Sequence, residues 1–173
     1  MQAIEPRDIP GWVYPCGTRD RELVQEAIAA TYGMIEFIDF GVGQIVEAIA
    51  ARGQLDNTII VFTADHGDMM GDHGLMQKGY MPFRGTQQVP FLIVDPRRQA
   101  GRTSSLASSI DLGPTLLDLC NVAPHDGIQG RSLAPVLDDP AASVRDHVLI
   151  EDDMRRSSPG SGRFPTRMRT VVT

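Results

Sequence analysis

Asp65, His66 and Gly67 follow directly on an apolar, β-branched run, Ile59-Ile60-Val61-Phe62. A carboxylate and an imidazole on adjacent residues suit a divalent cation with mixed oxygen and nitrogen ligands. Both side chains reach one ion only if the backbone turns sharply, and Gly67 permits that turn. Lys78 offers a point charge for a phosphate- or sulfate-like group. His73 offers an acid/base or an orienting donor. Arg84 is a further cation for the same anion pocket. Two ligands do not hold a catalytic metal, so the remainder must come from elsewhere. The residues alone leave alternatives open. Asp-His-Gly is also an ordinary turn or helix cap, and a loop lysine is usually solvated. The tripeptide recurs at Asp72-His73-Gly74; the first copy is preferred because it leaves the strand directly.

The elements that position these residues come next. Ile59 to Phe62 reads as a strand buried on both faces, as in a parallel sheet. In open α/β sheets ligands bind beyond the carboxyl ends of strands, which is where the charged loop falls. Upstream, a helix runs from about Arg19 to Arg52. Its stripe is Met34, Ile35, Ile38, Val42, Ile45, Val46 and Ile49. Gly33, Gly41 and Gly43 leave room for close packing on a sheet, or for a break near Gly33, and Gly53 ends the helix. Downstream, Met81 to Gln88 reads as irregular and Val89 to Val94 as a strand. A polar loop spans 97–105. Asp111 is an N-cap for a helix from Leu112 to Asn121. Pro114 fits its first turn, and Cys120 reads as core. Leu133 to Leu137 forms a short helical turn and Val148 to Ile150 a strand. Ser157 to Gly162 is a flexible linker. Arg167 to Thr173 begins a strand whose sheet lies outside the chain. The order of elements fits α/β.

Several motifs in order resemble the sulfatase family of the alkaline-phosphatase-like superfamily. They are Thr63-Ala64-Asp65-His66-Gly67, Gly71-Asp72-His73-Gly74 and Lys78. The strand beginning Val89-Pro90, the run Asp111 to Thr115 with Pro114, and the turn Gly130-Arg131-Ser132-Leu133 continue the series, as does the helix from Tyr32 to Ile49 with Asp39 and Gly43. The resemblance implies part of a mixed sheet flanked by helices, incomplete here. Residues 1–18 would be an extended lead-in, with Trp12 packing on something. Residues 19–151 would be the C-terminal part of a catalytic domain. Residues 152–173 would be a flexible segment and the start of a further strand. It also implies sulfate ester hydrolysis, or phosphonate monoester or phosphodiester hydrolysis in the same site, or a non-catalytic metal-binding remnant. Asp65 and His66 would bind a divalent cation, Ca2+ first and Mn2+ second. Lys78 would contact the sulfate or phosphate, with Arg84 beside it and His73 near the leaving group. The family nucleophile is a formylglycine made from Cys-x-Pro/Ala-x-Arg. Cys16-Gly17-Thr18-Arg19 departs from that pattern in both the third residue and the arginine spacing. The formylglycine is therefore expected in a missing upstream part, and the chain alone should be inactive.

Composition narrows the partners. The 173 residues carry a net charge of −6, and no basic patch argues for nucleic acid. The Arg-rich stretch from Arg155 to Arg169 reads as a solvated tail. Two distant cysteines make no disulfide framework. No apolar run is long enough to span a membrane. The expected partners are a small sulfate, phosphate or phosphonate ester, and a separately encoded N-terminal half or a second copy. Met1 opens no signal peptide. That places the protein in the cytoplasm if Met1 is the true start; a missing N-terminus would allow a periplasmic or secreted protein.

Overall fold

A computed structural model describes residues 13–15, 21–78, 82–154 and 166–173. Trp12, the segment from Cys16 to Asp20 and the linker from Ser157 to Gly162 lie outside the described residues. The chain forms two compact units, Met1–Arg97 and Arg98–Thr173.

The first unit begins with a short strand, β1 (Val13–Pro15), and a long helix, α1 (Arg21–Ala51). The helix runs unbroken through Gly33, Gly41 and Gly43, and the space where a Cβ would stand at each is open. These glycines therefore serve no close packing within the described residues. The expected C-terminus holds. Gly53 is left-handed at φ 65°, its N–H donates to Ala50 O at 2.9 Å, and Gln54 N–H donates to Ile49 O at 3.2 Å. That pair of bonds is a Schellman ending, which satisfies carbonyls the helix would otherwise leave open. Val24, Ile28, Val42, Val46 and Ile49 are half-buried, and no residue of α1 is fully buried.

Strand β2 (Ile60–Thr63) pairs antiparallel with β4 (Phe91–Val94), with Ile60 opposite Val94 and Thr63 opposite Phe91. This corrects the parallel, doubly buried reading of the Ile59–Phe62 run. The run is apolar on both faces, yet Phe62 is 40% exposed, because no further strand or layer covers it among the described residues. Between them lie β3 (Leu75–Gln77), paired antiparallel with β1, and a four-residue helix α2 (Arg84–Gln87). The stretch read as irregular thus contains a helix. Asp95, buried at the end of β4, takes a bidentate pair from Arg97 Nε and Nη2, each 2.8 Å long.

The second unit is built around Asp111. It stands at the N-cap position of α3 (Leu112–Leu119), but its side chain makes no capping bond to that helix, because its carboxylate is taken up by other partners. Asp111 is fully buried. Its Oδ2 accepts Ser108 N–H at 2.8 Å, and its Oδ1 accepts Arg131 N–H at 2.8 Å and the Arg145 guanidinium. One turn on, buried Thr115 donates its hydroxyl to Asp111 O at 2.5 Å and accepts Leu133 N–H at 2.9 Å. Gly130 completes the seam. A Cβ there would lie 2.0 Å from Ile110 O, so no other residue lets the turn approach. The turn leads into α4 (Ala134–Asp138), whose Ala134 and Val136 are buried. Cys120 is exposed, not core. The buried face of α3 carries Thr115 and Leu119, and Cys120 sits one position round, at the helix end. Strand β5 (Val148–Met154) continues through the acids expected to follow it. It pairs antiparallel with β6 (Thr166–Val172). The last strand thus finds its partner inside the chain.

Candidate active site

The loop after β2 is held from beneath and behind. Met69 and Leu75 are almost wholly buried and pack with Phe83 into a small core of their own. Main-chain bonds tie the loop to the following strand: Met69 N–H to Gln77 O at 2.9 Å and Gly71 N–H to Leu75 O at 2.8 Å. On the other side, Gly67 N–H donates to Thr86 O at 2.9 Å. A Cβ on Gly67 would lie 1.9 Å from Gly85 O, so backbone meets backbone there. Gly85, Thr86 and Phe83 were not singled out in the sequence; the glycine in a stretch read as structureless was the available signal.

The loop carries local strain. Met70, His73 and Gln77 adopt left-handed φ of 44°, 56° and 65°. Each such residue costs about 1–2 kcal/mol, and such conformations persist where the surroundings over-determine them. The turn at Gln77 brings Lys78 back onto the strand end.

Asp65, His66 and Lys78 come together there. His66 Nδ1 donates to Gly67 O at 2.9 Å. This assigns the tautomer and makes Nε2 the accepting nitrogen of the ring. That Nε2 lies 3.3 Å from Asp65 Oδ2 and accepts from the Lys78 ammonium. Asp65 Oδ1 accepts His66 N–H at 2.9 Å. That backbone bond, ahead of the nearby imidazole and Lys78, holds the Asp65 carboxyl below its ordinary pKa. Two anionic or lone-pair donors 3.3 Å apart match adjacent corners of an octahedron with bonds of about 2.3 Å. The pair thus has the spacing of two ligands of a divalent cation, which His66 can serve once Lys78 gives up the Nε2 lone pair. Among the described residues no third His, Cys, Asp or Glu joins them.

The other two candidates have different partners. The His73 ring stacks on Phe83 with centroids 4.0 Å apart. Arg84 Nε donates to Gln88 Oε1. Both stand on the Phe83–α2 side of the loop.

Comparison with known proteins identifies the architecture. A structure solved in complex with its substrate, D-glucosamine-2-N,6-O-disulfate, matches 80% of this chain and 28% of its own, with a TM-score of 0.67 and 29% identity. The phosphonate monoester hydrolase of Agrobacterium radiobacter matches 75% of this chain and 26% of its own, with a TM-score of 0.64 and 37% identity. The fold is thus of the alkaline-phosphatase-like α/β class. Residues 6–122 match the family model described as sulfatase. The arylsulfatase of Clostridium perfringens is 36% identical over 147 residues, 82% of this chain. The N-acetylglucosamine-6-O-sulfatase of Bacteroides thetaiotaomicron is 39% identical over 111 residues, 63% of this chain. The chain belongs to the sulfatase family. It spans 30% of the Clostridium protein and 20% of the Bacteroides one.

Proposed function

We propose that this chain supplies part of the catalytic centre of a sulfate ester hydrolase. Asp65 and His66 contribute two ligands to a divalent cation, Ca2+ first and Mn2+ second, and Lys78 takes the sulfate oxygens. The convergence of Asp65 Oδ2, His66 Nε2 and Lys78 Nζ at the end of β2 carries this reading. When bound, the cation supplies positive charge that polarises the ester oxygens. The chain's own residues do the rest of the positioning. The Gly67 carbonyl fixes the His66 ring, as partners behind a metal ligand commonly do. The His66 N–H bond, with the nearby imidazole and Lys78, lowers the pKa of the Asp65 carboxyl. Lys78, exposed and on a flexible stem, stabilises charge as it develops on the transferred group. His73 serves the leaving-group side and Arg84 the anion.

The nucleophile comes from outside this chain. Neither Cys16 nor Cys120 stands in Cys-x-Pro/Ala-x-Arg, so the chain does not turn over alone. Relatives named for sulfated glucosamine support a sulfated amino sugar as the substrate class. The 37% identity to a phosphonate monoester hydrolase favours a second reading, in which the same residues serve a phosphonate ester. The test uses the pure chain. Two ligands hold a cation only weakly, so electron paramagnetic resonance at millimolar Mn2+ should detect weak binding that falls in Asp65→Ala and in His66→Ala but is kept in His125→Ala. The chain should release nothing from 4-nitrophenyl sulfate or a phenylphosphonate ester. Unchanged Mn2+ binding in both ligand variants would remove the metal assignment. Sulfate release that disappears in Asp65→Ala would remove the external nucleophile.

A further inference from the structure

The ring of His66 has a single lone pair to give. Its Nδ1 proton is spent on the Gly67 carbonyl at 2.9 Å, so Nε2 is the nitrogen that accepts. Two cations have a claim on it. The Lys78 ammonium donates to it. A divalent cation held between it and Asp65 Oδ2, 3.3 Å away, needs the same electron pair. A lone pair taken up in a hydrogen bond does not coordinate a metal at the same time, so the two arrangements exclude each other. Like charge adds to the exclusion, because an ammonium and a divalent cation within a few ångströms repel.

The backbone keeps Lys78 in place as one of the two claimants. Gln77 adopts a left-handed φ of 65°, and its carbonyl accepts Met69 N–H at 2.9 Å. The root of the Lys78 side chain is therefore fixed beside the end of β2. Beyond the root, the flexible four-carbon stem is exposed. The ammonium can thus leave Nε2 by rotation of its own stem, with the loop unchanged. Off His66, it has all its donors for the oxygens of an anion.

We propose that Lys78 is an internal competitor for the cation site: its ammonium holds the His66 Nε2 lone pair, and a divalent cation binds by displacing it. Lys78 therefore lowers the affinity of the chain for its metal. A lysine that served only the substrate's anion would not hold that lone pair at all. The proposal rests on reading Asp65 and His66 as metal ligands, and its test separates the two.

The pure chain is titrated with Mn2+ at mildly alkaline pH, where a free imidazole is neutral. The ring signals of its four histidines are followed by NMR, and His66 is the one missing in His66→Ala. Paramagnetic broadening of that signal reads affinity at this site, apart from Mn2+ held by other carboxylates. Lys78→Met removes the ammonium and keeps the bulk of the stem. It should tighten Mn2+ about fivefold, the factor contributed by one hydrogen bond of ordinary net strength. The substitution also removes a through-space repulsion, but that part is screened at about 1 M KCl, where the Debye length is about 3 Å. The gain should persist there. Before Mn2+ is added, the His66 Nε2 nitrogen signal should move in Lys78→Met, because it loses its donor, while Nδ1 keeps its proton. Lys78 is exposed, so the circular dichroism should not change. Equal or weaker Mn2+ affinity in Lys78→Met, a gain that vanishes at high salt, or an unmoved Nε2 signal would each overturn the proposal while the metal ligands stand. A His66 signal that Mn2+ leaves sharp in both chains would remove the metal reading, and this inference with it.

Discussion

At the scale of single residues, hydrogen bonds decide how the acids titrate. Asp146 lies below its ordinary pKa, first because His147 Nδ1 bonds its Oδ1 at 2.6 Å. A group whose folded pKa is depressed adds stability above its unfolded value, about 3.9, and loses it as pH falls through the folded value. Asp146 is almost fully exposed, so the effect on stability is small, but the midpoint is measurable. Carboxyl carbon NMR should place it below about 3.9, and His147→Ala should move it upward. A midpoint unmoved by that substitution would show that the side-chain bond is not the cause. Asp65 has the same kind of shift from a different source, the backbone N–H of the next residue. The backbone bond is the first cause of that lowering, and the His66 and Lys78 side chains add to it.

At the scale of elements, the second unit depends on two buried polar side chains joining α3 to the turn before α4. Asp111→Ala would leave the Arg145 guanidinium, whose side chain is 11% exposed, without its counter-charge. Breaking such a pair from one side costs about 3–5 kcal/mol. Thr115→Val keeps the shape but strands the Leu133 N–H, at about 1–3 kcal/mol. Urea unfolding should rank Asp111→Ala as the more damaging; the opposite order would mean that the ion pair contributes less than the hydroxyl. The sequence could reveal α1 because thirty residues of helical periodicity and a glycine stop are local signals. It could reveal β2 and β4 as strands, but not their antiparallel pairing, since an apolar run reads the same in either sense. It could not reveal β3 or α2. Three- and four-residue elements exist because of contacts made elsewhere, here with β1 and with the Gly67 backbone. Asp111 was legible as a helix start but not as a buried anion, because Arg145 stands 34 residues away. In the site, Asp65, His66 and Lys78 were legible from type and order. Gly85 was not, because its reason is a backbone approach that no pattern announces.

At the scale of the molecule, the chain pairs an acidic surface, net charge −6, with apolar residues left open on α1 and on the β2–β4 ladder. Leu92 and Val94 are exposed along with Phe62. Mutual repulsion helps keep such chains apart at low salt. The Gly67–Thr86 bond has its own consequence for following the fold of the first unit in solution. It places one amide behind the backbone of α2, between the exposed residues His66 and Asp68. Amide hydrogens held this way exchange only when the local structure opens. The Gly67 proton should thus exchange more slowly than that of Asp68. Gly85→Ala, which sets a Cβ 3.2 Å from Asp68 O, should speed it. A single proton then reports whether the strand end is still latched to the helix behind it, with no cation, substrate or partner present.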